Sequence, residues 1–339
     1  MTNVQSSLPR LCDAHSRGVS YLRFSVTDRC NLRCVYCRGL GKESVLPHGS
    51  LLRYEEILRL VRVFRGLGVG KVRLTGGEPF ARRDCAALIM SLRSSFPDLN
   101  LRLTSNGTLL RPHIGLLKEA RVDAVNLSID SFDRETFREL TGFDLLDEVV
   151  AVLEGLLAAG VRVKVNAVAM RGVTDRQLPS FLEAVTRWPV DVRFIEFMPM
   201  GEGTVWDAGR FLPAEEIMRS LGTMAELVPV PDAHADHGPA RMYAVPGRQG
   251  RFGFITALSN HFCDTCNRLR VTSDGSLRTC LFADTMTPLR GLLRDPAVTD
   301  EDLARVIRQA LADKPVGADL LKARKETAVA RGRMASIGG

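Results

Sequence analysis

Strand-like and helix-like segments alternate along much of this 339-residue chain, and this alternation limits the possible folds more than any other feature. Alternating or continuous apolar patterns predict strands at 21–26, 71–75, 101–104, 124–129, 161–168 and 192–197. Helical patterns lie near 54–66, 84–95, 111–120, 133–139, 145–159 and 175–186. Such alternation is typical of parallel β/α units, and six units are too few for a closed eight-stranded barrel.

Three closely spaced cysteines follow the first predicted strand. Cys30, Cys34 and Cys37 are separated by three and then two residues, and Val26 ends the strand pattern just before them. The trio therefore lies in a loop at the carboxyl end of a strand, where open α/β folds place their chemistry. Three thiolates can hold a four-iron cluster and leave one iron open for a substrate or cofactor. A zinc site usually has four ligands and paired cysteines, and the nearby sequence supplies no fourth ligand.

The composition is that of an ordinary globular chain, with 45% hydrophobic and 25% charged residues. No run approaches the roughly 18 apolar residues of a membrane span, and the N-terminus lacks the features of a signal peptide. We therefore expect a cytoplasmic protein without a membrane partner, in which reducing conditions keep thiols available for metal. The formal charge of +7 could favour nucleic acid, but no basic run with interleaved aromatic residues is present, so no nucleic-acid partner is expected.

Three parts of the chain are predicted: an irregular, partly ordered N-terminal arm at 1–19, a β/α part at 20–220 and a C-terminal part at 221–339. In the last part, His234 and His237 lie in a polar loop and are expected to be solvated rather than metal-bound. Short β-like segments are predicted at 241–245 and 252–257, and a helix near 299–312. Two isolated cysteines, Cys12 and Cys85, are expected to be ordinary thiols.

A second trio of cysteines lies in the C-terminal part. Cys263 and Cys266 are separated by two residues, and Cys280 follows later. Zinc is a natural candidate for this spacing, because His261 could supply a fourth ligand. The spacing alone leaves both zinc and an iron–sulfur cluster open.

Two arginines follow the second trio closely. Arg268 and Arg270 occupy alternate positions of a predicted strand and so point to the same face. Paired guanidinium groups suit phosphate oxygens, and this pair beside three thiols resembles part of an anion pocket.

Taken together, these motifs resemble the GTP 3′,8-cyclase family, the MoaA-type radical S-adenosylmethionine (SAM) enzymes of molybdenum cofactor biosynthesis. The first trio, with an aromatic residue before its last cysteine, is similar to the radical SAM motif. The residues that carry the resemblance lie at 23–37, 73–79, 104–107, 126–130, 193–198 and 263–270, at Cys280 and at the Gly-Gly end. Residues 38–50 depart from the usual continuation of the first motif, which leaves the shape of that loop open.

The resemblance implies a fold and a reaction. The fold is an incomplete (β/α)6 TIM-like barrel of the radical SAM type with a C-terminal cluster-binding extension. The reaction is that of a lyase: a 5′-deoxyadenosyl radical from SAM takes the 3′ hydrogen of GTP, the C3′ radical adds to C8, and one electron completes reduction of the cyclised species. The product is (8S)-3′,8-cyclo-7,8-dihydroguanosine 5′-triphosphate. Implied partners are an electron donor such as flavodoxin or ferredoxin, cyclic pyranopterin monophosphate synthase as recipient of the product, and a second copy in a homodimer.

The resemblance also assigns residues. It implies two [4Fe–4S] clusters, one on Cys30, Cys34 and Cys37 and one on Cys263, Cys266 and Cys280. Its SAM contacts match Tyr36, Gly77, Ser128 and Met198, and its GTP contacts match Arg23, Lys71, Arg73, Thr104, Lys164, Arg268 and Arg270. Arg268 and Arg270, together with Gly338 and Gly339 of a tail that enters the active site, are the implied catalytic residues. Two alternatives remain at this point: a two-cluster radical SAM enzyme that modifies a peptide, and a zinc-ribbon nucleic-acid-binding module.

Overall fold

A computed structural model of the chain describes residues 11–38, 45–201, 204–231, 238–324 and 334–337. Four residues with predicted properties, His234, His237, Gly338 and Gly339, lie outside these ranges, as do residues 39–44 of the departing loop.

Twelve strands among the described residues form one sheet. They are β1 (Tyr21–Ser25), β2 (Lys71–Thr75), β3 (Asn100–Ser105), β4 (Ala124–Ser128), β5 (Val163–Ala169), β6 (Asp191–Glu196), β7 (Val228–Pro229), β8 (Arg241–Ala244), β9 (Arg251–Ile255), β10 (Arg268–Val271), β11 (Ser276–Arg278) and β12 (Thr287–Pro288). Their order across the sheet is β12-β11-β10-β1-β2-β3-β4-β5-β6-β9-β8-β7.

The central strands of this sheet are parallel, as the β/α alternation predicted. β1 to β6 pair in sequence order, β9 adds to β6, and β10 adds to β1, all in parallel. Hairpins then continue the sheet in antiparallel fashion at both ends. The six predicted strands and the incomplete TIM-like barrel are confirmed, and the parallel run is longer than predicted because β9 and β10 join it.

Twelve α-helices accompany the strands in the described residues. They are α1 (Val35–Arg38), α2 (Tyr54–Gly66), α3 (Cys85–Ser95), α4 (Ile114–Glu119), α5 (Arg134–Thr141), α6 (Leu146–Ala158), α7 (Leu178–Arg187), α8 (Ala214–Gly222), α9 (Arg290–Arg294), α10 (Asp300–Ala312), α11 (Gly317–Ala323) and α12 (Met334–Ile337). Local signals set several of the ends. For example, α10 begins at a capping box in which the hydroxyl of Thr299 accepts from the amide of Asp302 at 3.2 Å.

The two faces of the central strands differ in chemistry. Outward residues such as Leu22, Phe24, Val72 and Leu74 are fully buried in the main hydrophobic core under the helices. Each buried side chain of this size contributes roughly 1.5–3 kcal/mol. Inward residues are largely polar or charged, so the inside of the barrel is a chamber rather than the packed apolar core usual for TIM barrels.

Residues 11–19, the part of the predicted N-terminal arm that the structure describes, pack against the main core. Cys12 pairs with Gly18 in an antiparallel bridge, and Leu11 and Val19 are buried in the main core. Irregular composition did not prevent packing here, because the stabilising contacts are to distant parts of the chain.

The sheet crosses the predicted division near residue 220, since β9 and β10 pair with strands of the first part. Because the two parts share this sheet, the strands do not mark a boundary near residue 220, and the three-part division of the chain stays a prediction. Among the described residues, no helix is both long and apolar enough to span a bilayer.

Candidate active site

A single cavity of about 310 Å³ inside the barrel collects the residues that the sequence singled out. Both cysteine trios line it, together with the inward side chains of the parallel strands. Its volume is that of a small-molecule site. The structure brings together every predicted site residue that it describes.

The two trios lie at opposite ends of this cavity. Cys30 follows β1, at the carboxyl edge of the parallel strands, whereas Cys266 precedes β10, at their amino edge. Cys280 follows β11, which is antiparallel to β10, so it also lies at the amino edge. The chamber therefore has one group of three thiols at each end.

Two glycines after β2 let the loop of the first trio approach closely. The amide of Gly77 donates to the carbonyl of Thr27 at 2.8 Å, and the amide of Glu78 donates to that of Arg29 at 2.8 Å. A Cβ on Gly77 would overlap the Arg29 carbonyl, and a Cβ on Gly76 would overlap that of Thr27. The local reason for the glycine pair is thus close contact with the cysteine loop.

Polar side chains from the end of β3 hold the same loop. Asn106 directs its Nδ2 toward Cys30 Sγ at 3.6 Å and donates to Asn31 Oδ1 at 3.0 Å. Its amide donates to Glu78 at 2.7 Å, and the hydroxyl of Ser105 donates to both carboxylate oxygens of Glu78. Burial raises the pKa of Glu78 to about 7, although these donors favour its charged form.

Tyr36 is fixed from the end of β4. Its hydroxyl donates to Asp130 Oδ2 at 2.6 Å, and the amide of Val168 donates to Asp130 Oδ1 at 2.8 Å. Burial raises the pKa of Asp130 to about 6, while these hydrogen bonds act in the opposite direction. The aromatic residue of the first cysteine motif is thereby held in one orientation beside the trio.

The second trio surrounds a space next to Gly317. A Cβ on Gly317 would lie 3.1 Å from Cys280 Sγ, 3.5 Å from Cys263 Sγ and 3.0 Å from Phe282 Cδ2. On the other side, Lys314 Nζ lies 3.8 Å from Cys266 Sγ and donates to a backbone carbonyl at 2.7 Å. The absence of a side chain at Gly317 therefore leaves the thiols accessible to a group in the cavity.

The thiols of the two trios differ in electrostatic environment. Burial alone would raise the pKa of Cys266, but the charges of Arg268 and Lys314 lower it to about 7. At the other end, burial and then the negative charge of Asp130 raise the pKa of Cys34 well above its ordinary value. A bound metal offsets the free-energy cost of forming a buried thiolate, because the metal binds the thiolate directly.

The donor type of the two trios fits iron–sulfur clusters, which are held by cysteine thiolates. All ligands of a zinc ion lie within about 2.3 Å of the same atom, whereas the thiolates of a four-iron cluster bind different irons. The donor type and the cradle at Gly317 therefore suit a cluster.

Between the trios, inward strand residues form a basic band. Eight of them are cationic: Arg23, Lys71, Arg73, Arg102, Lys164, Arg193, Arg268 and Arg270. The strand register places Arg23 beside both Arg73 and Arg270. Arg73 donates from Nε to the hydroxyl of Tyr21 at 2.6 Å and from Nη1 to Thr104 Oγ1 at 3.3 Å.

This concentration of charge is costly in the absence of an anion. Burial lowers the pKa of Arg23, Arg193 and Arg270 below the ordinary arginine value, yet guanidinium groups remain charged at neutral pH. Burial, followed by the charge of Arg193, lowers the pKa of Lys164 to about 7. A polyanionic ligand would relieve this mutual repulsion.

Arg102 and Arg193 were not among the predicted site residues, and neither was Asn126, which also lines the cavity. All three occupy inward positions of their strands. The alternation of side chains along a strand could have found two of them, because Arg102 is two residues before Thr104 and Asn126 is two residues before Ser128.

The residues matched to SAM contacts lie toward the carboxyl edge. Tyr36, Gly77, Ser128 and Met198 all line the cavity, and each follows or ends a parallel strand. The structure thus places them on the same side as the first trio. Their predicted contacts with SAM remain predictions.

The C-terminal segment returns to the chamber. The carbonyl of Ile337 accepts from Arg270 Nη1 at 3.3 Å, and that of Ser336 accepts from the amide of Ser273 at 3.3 Å. The side chain of Ile337 is buried with Met200 and Phe282, next to Met198. The chain therefore enters the cavity region immediately before its last two residues.

The remaining cysteines lie away from the cavity. Cys85 is buried in α3, and burial raises its pKa to about 12, whereas Cys12 is exposed. Neither is among the residues that line the cavity, and their role as ordinary thiols stays a prediction.

Comparison with known proteins adds independent evidence. Residues 24–185 match the Radical SAM superfamily, and residues 190–320 match the family described as Molybdenum Cofactor Synthesis C. GTP 3′,8-cyclase of Desulforamulus reducens is 39% identical over 306 residues, which cover 90% of this chain and 94% of that protein. GTP 3′,8-cyclase of Caulobacter vibrioides is 40% identical over 98% of this chain and 94% of its own length. Molybdenum cofactor biosynthesis protein 1 of Drosophila melanogaster is 39% identical, over 90% of this chain and 54% of that longer protein.

Solved structures agree on the fold. Streptococcus suis SuiB bound to S-adenosylmethionine has a TM-score of 0.64 at 15% identity, and the likeness covers 93% of this chain and 76% of that one. At this identity the likeness concerns the fold alone. The two bacterial relatives, by contrast, are similar to this chain over 94% of their own length. The chain therefore belongs to the GTP 3′,8-cyclase family of the radical SAM superfamily.

Proposed function

We propose that this chain catalyses the SAM-dependent cyclisation of GTP to (8S)-3′,8-cyclo-7,8-dihydroguanosine 5′-triphosphate, the first step of molybdenum cofactor biosynthesis. One observation carries the proposal: a single chamber has three thiols at each end and a band of eight buried or half-buried cations between them. A nucleoside triphosphate supplies the negative charge that such a band lacks. Relatives 38–40% identical to the chain are named for this reaction.

At the carboxyl edge, the proposal assigns one [4Fe–4S] cluster to Cys30, Cys34 and Cys37, as expected for the radical SAM superfamily. SAM would lie beside it, against Gly77 and Met198, together with Tyr36 and Ser128. When bound, the cluster supplies the electron that cleaves SAM to methionine and a 5′-deoxyadenosyl radical. The contribution of the chain is to hold the loop rigid through Asn106 and the glycine pair, so that the reactants stay in position.

At the amino edge, Cys263, Cys266 and Cys280 would hold a second [4Fe–4S] cluster, and guanine of GTP would bind beside it. The cradle at Gly317 and the ammonium of Lys314 support this assignment, because they leave space and provide positive charge beside the thiolates. Cations near the sulfurs of a cluster stabilise its reduced form.

The triphosphate would lie in the basic band. The predicted contacts Arg23, Lys71, Arg73, Thr104, Lys164, Arg268 and Arg270 all line the cavity, and Arg102 and Arg193 extend the same band. Arginine suits this task because its planar group can donate two parallel hydrogen bonds to phosphate. Since many of these side chains are buried, each contact is worth more than it would be in water.

The tail would complete the chamber. Residues 334–337 already contact the ends of β1 and β10, and Gly338 and Gly339 follow directly. We infer that these two glycines enter beside the reacting groups and help to exclude water, with Arg268 and Arg270 as neighbours. Glycine suits a narrow filled space because it has no side chain.

The family to which the chain belongs supports a proposal for the wider setting of the reaction. One-electron reduction requires a donor such as flavodoxin or ferredoxin, and the cyclised nucleotide would pass to cyclic pyranopterin monophosphate synthase. We propose a cytoplasmic homodimer. The alternative is a radical SAM enzyme that modifies a peptide. The many cations that line the chamber favour a polyanionic nucleotide over a peptide as the substrate.

The direct test is anaerobic reconstitution, followed by incubation with GTP, SAM and dithionite. We expect about eight iron atoms per chain, as two four-iron clusters require, together with 5′-deoxyadenosine and the cyclised nucleotide in equal amounts. The matched control replaces GTP with GTP deuterated at C3′, and deuterium should then appear in 5′-deoxyadenosine. SAM cleavage without nucleotide product, or product without deuterium transfer, would contradict the proposal.

A further inference from the structure

Arg17 joins three distant segments of the chain. Its Nη1 donates to the carbonyl of Cys263 at 3.1 Å, and its Nη2 donates to the carbonyls of Lys314 at 3.0 Å and Pro315 at 3.1 Å. These partners are 246, 297 and 298 residues away in the sequence. The side chain is buried, so the three carbonyls receive these bonds away from bulk water.

Asp13 orients this guanidinium group. Arg17 Nε donates to Asp13 Oδ2 at 2.6 Å, and the amides of Arg17 and His15 donate to Asp13 Oδ1 at 2.9 Å. The bridge between Cys12 and Gly18 closes the turn that carries both side chains. We call residues 11–19 the N-terminal clasp.

The carbonyls that Arg17 contacts belong to the second cysteine site. Cys263 is one of its thiols, and Lys314 lies beside the sulfur of Cys266. Pro315 comes two residues before Gly317, which lies beside the sulfurs of Cys263 and Cys280. The clasp therefore connects, through one side chain, the two segments that enclose the second trio.

We propose that the N-terminal clasp positions the second cysteine site, with Arg17 as the positioning residue that holds the 263 and 314–317 segments together. The proposal rests on the second cluster of the proposed function. Arg17 also lines the cavity, and its proposed action on the site is through the three backbone carbonyls that its guanidinium group contacts.

The physical basis is the geometry of the guanidinium group. A buried charge is tolerated only when it is paired and its donors are satisfied, and Arg17 meets this condition through Asp13 and the three carbonyls. A lysine at position 17 could keep the ion pair with Asp13. Its ammonium group lacks the planar guanidinium with several N–H donors that is needed to reach both segments. Without Arg17, the carbonyls of Lys314 and Pro315 lose these bonds, and the carbonyl of Cys263 keeps the bond from the amide of Cys266 at 3.2 Å. The two segments also lose a constraint that closes a very long loop.

The test compares Arg17→Ala and Arg17→Lys with a matched control, Arg59→Ala. Arg59 forms the same kind of contact away from the chamber: it pairs with Asp300 at 2.8 Å and donates to the carbonyls of Leu293 and Val298 at 3.2 and 2.6 Å. Each full-length variant is reconstituted anaerobically, and its iron content and its electron paramagnetic resonance spectrum are measured.

We expect both Arg17 variants to fall from about eight to about four iron atoms per chain and to lose the signal of one cluster. The remaining signal should still shift on addition of SAM, because the first trio does not depend on the clasp. The control variant should keep about eight irons even if its melting temperature falls. Arg17 variants that retain both signals and wild-type iron content overturn the proposal.

A second measurement tests the role of the N-terminal clasp in the metal-free protein, independently of cluster binding. Hydrogen exchange of the metal-free protein should speed up at least tenfold in Arg17→Lys for amides in 263–268 and 314–318, and stay unchanged in β2 and β3. Unchanged exchange in those two segments overturns the proposal, whatever the iron content. A wild-type chain that itself binds only about four irons would instead contradict the proposed second cluster, and the exchange data would still decide the role of Arg17.

Discussion

At the scale of single residues, the chamber is defined by charges that a folded chain normally avoids burying. Arg23, Arg73 and Arg193 lie on inward strand positions where an ordinary TIM barrel has branched apolar side chains. Part of the cost is offset by neighbours, as in the bond from Arg73 to the hydroxyl of Tyr21. The part of this free-energy cost that neighbours do not offset favours binding of an anion. The arginines that destabilise the protein without ligand are therefore those that would bind the substrate.

Arg268 provides a direct test of this reasoning. Its guanidinium group lies 4.8 Å from the ring centre of Phe262, and its side chain lines the cavity. We expect Arg268→Ala to weaken GTP binding by about ten- to hundredfold, since a hydrogen bond to a charged group is worth about 1.5–3 kcal/mol. Equilibrium dialysis with reconstituted protein measures the change, and Arg219→Ala, an exposed arginine on α8, is the control. Unchanged affinity in Arg268→Ala would remove this residue from the binding site.

The pH dependence of GTP binding should report on Lys164. The pKa of its ammonium group in the empty protein is lowered to about 7, so the group is charged below this pH and loses its proton above it. Because GTP prefers the charged form, affinity should fall as pH rises, by at most about tenfold per pH unit for one proton. Tyr21 should act in the same direction: burial favours its neutral form, but Arg73, Arg23 and Arg268 lower its pKa to about 7, and a phenolate would repel phosphate.

Lys164→Arg is the matched variant, because arginine keeps its charge across this range. The ratio of the two affinities cancels the titration of the nucleotide itself. The advantage of the variant over the parent should grow from about pH 6 to about pH 8.5. A constant ratio would show that Lys164 does not titrate in contact with the triphosphate.

At the scale of elements, short polar and glycine-containing turns at the strand ends determine where the cysteines lie. The loop of the first trio is held by backbone bonds to the residues after β2 and by Asn106 after β3. At β6, Glu196 accepts from the amides of Leu258 and Ser259 and so connects this strand to the segment after β9. The cysteine loops themselves contain little regular structure, and neighbouring strand ends supply their order.

Gly77→Ala tests the contact between two of these elements. Because a Cβ there would overlap the backbone of Arg29, the cysteine loop must move, and we expect a loss of about 1–3 kcal/mol of stability or more. The first cluster should also be lost preferentially. Gly70→Ala, just before the same strand, is the control, since its Cβ would meet no atom within 4 Å. Thermal unfolding and iron content check the result, and a variant as stable and iron-rich as the control would contradict the packing argument.

At the scale of the whole molecule, one sheet unites parts of the chain that are far apart in sequence. β10 pairs with β1, and the strand register aligns Arg268 with Tyr21 and Arg270 with Arg23. This pairing brings the second trio to the opposite end of the chamber from the first. The C-terminal segment then returns to β1 and β10, so both ends of the chain contribute to the site.

Removal of the last two residues tests the role of this returning segment. Deletion of Gly338 and Gly339 should abolish formation of the cyclised nucleotide while SAM cleavage and both clusters survive. The reason is that the segment would enter the chamber beside Arg270 without holding either trio. Product and 5′-deoxyadenosine are quantified in the same reaction, and iron content serves as the control for intact clusters. Normal product formation by the truncated chain would contradict the assigned role.

Several features of the protein are determined locally and were predictable from sequence. Period-two alternation located β1 to β6, because a strand with one apolar face repeats every second residue. The spacing of Cys30, Cys34 and Cys37 indicated a cluster, since ligands of one group must be close along a short loop. The same alternation predicted that Arg268 and Arg270 share one face of their strand, and both line the cavity.

Other features were decided only by the tertiary structure, because they depend on contacts between residues hundreds of positions apart. No local pattern indicates that β10 lies beside β1, that Arg17 contacts the carbonyl of Cys263, or that Arg193 completes the basic band. Burial and charge at these positions come from the packing of several strands around one chamber, whereas periodicity reports only on neighbours within one element. The residues of the site were therefore largely readable from sequence, and their arrangement around a shared cavity was fixed by the fold.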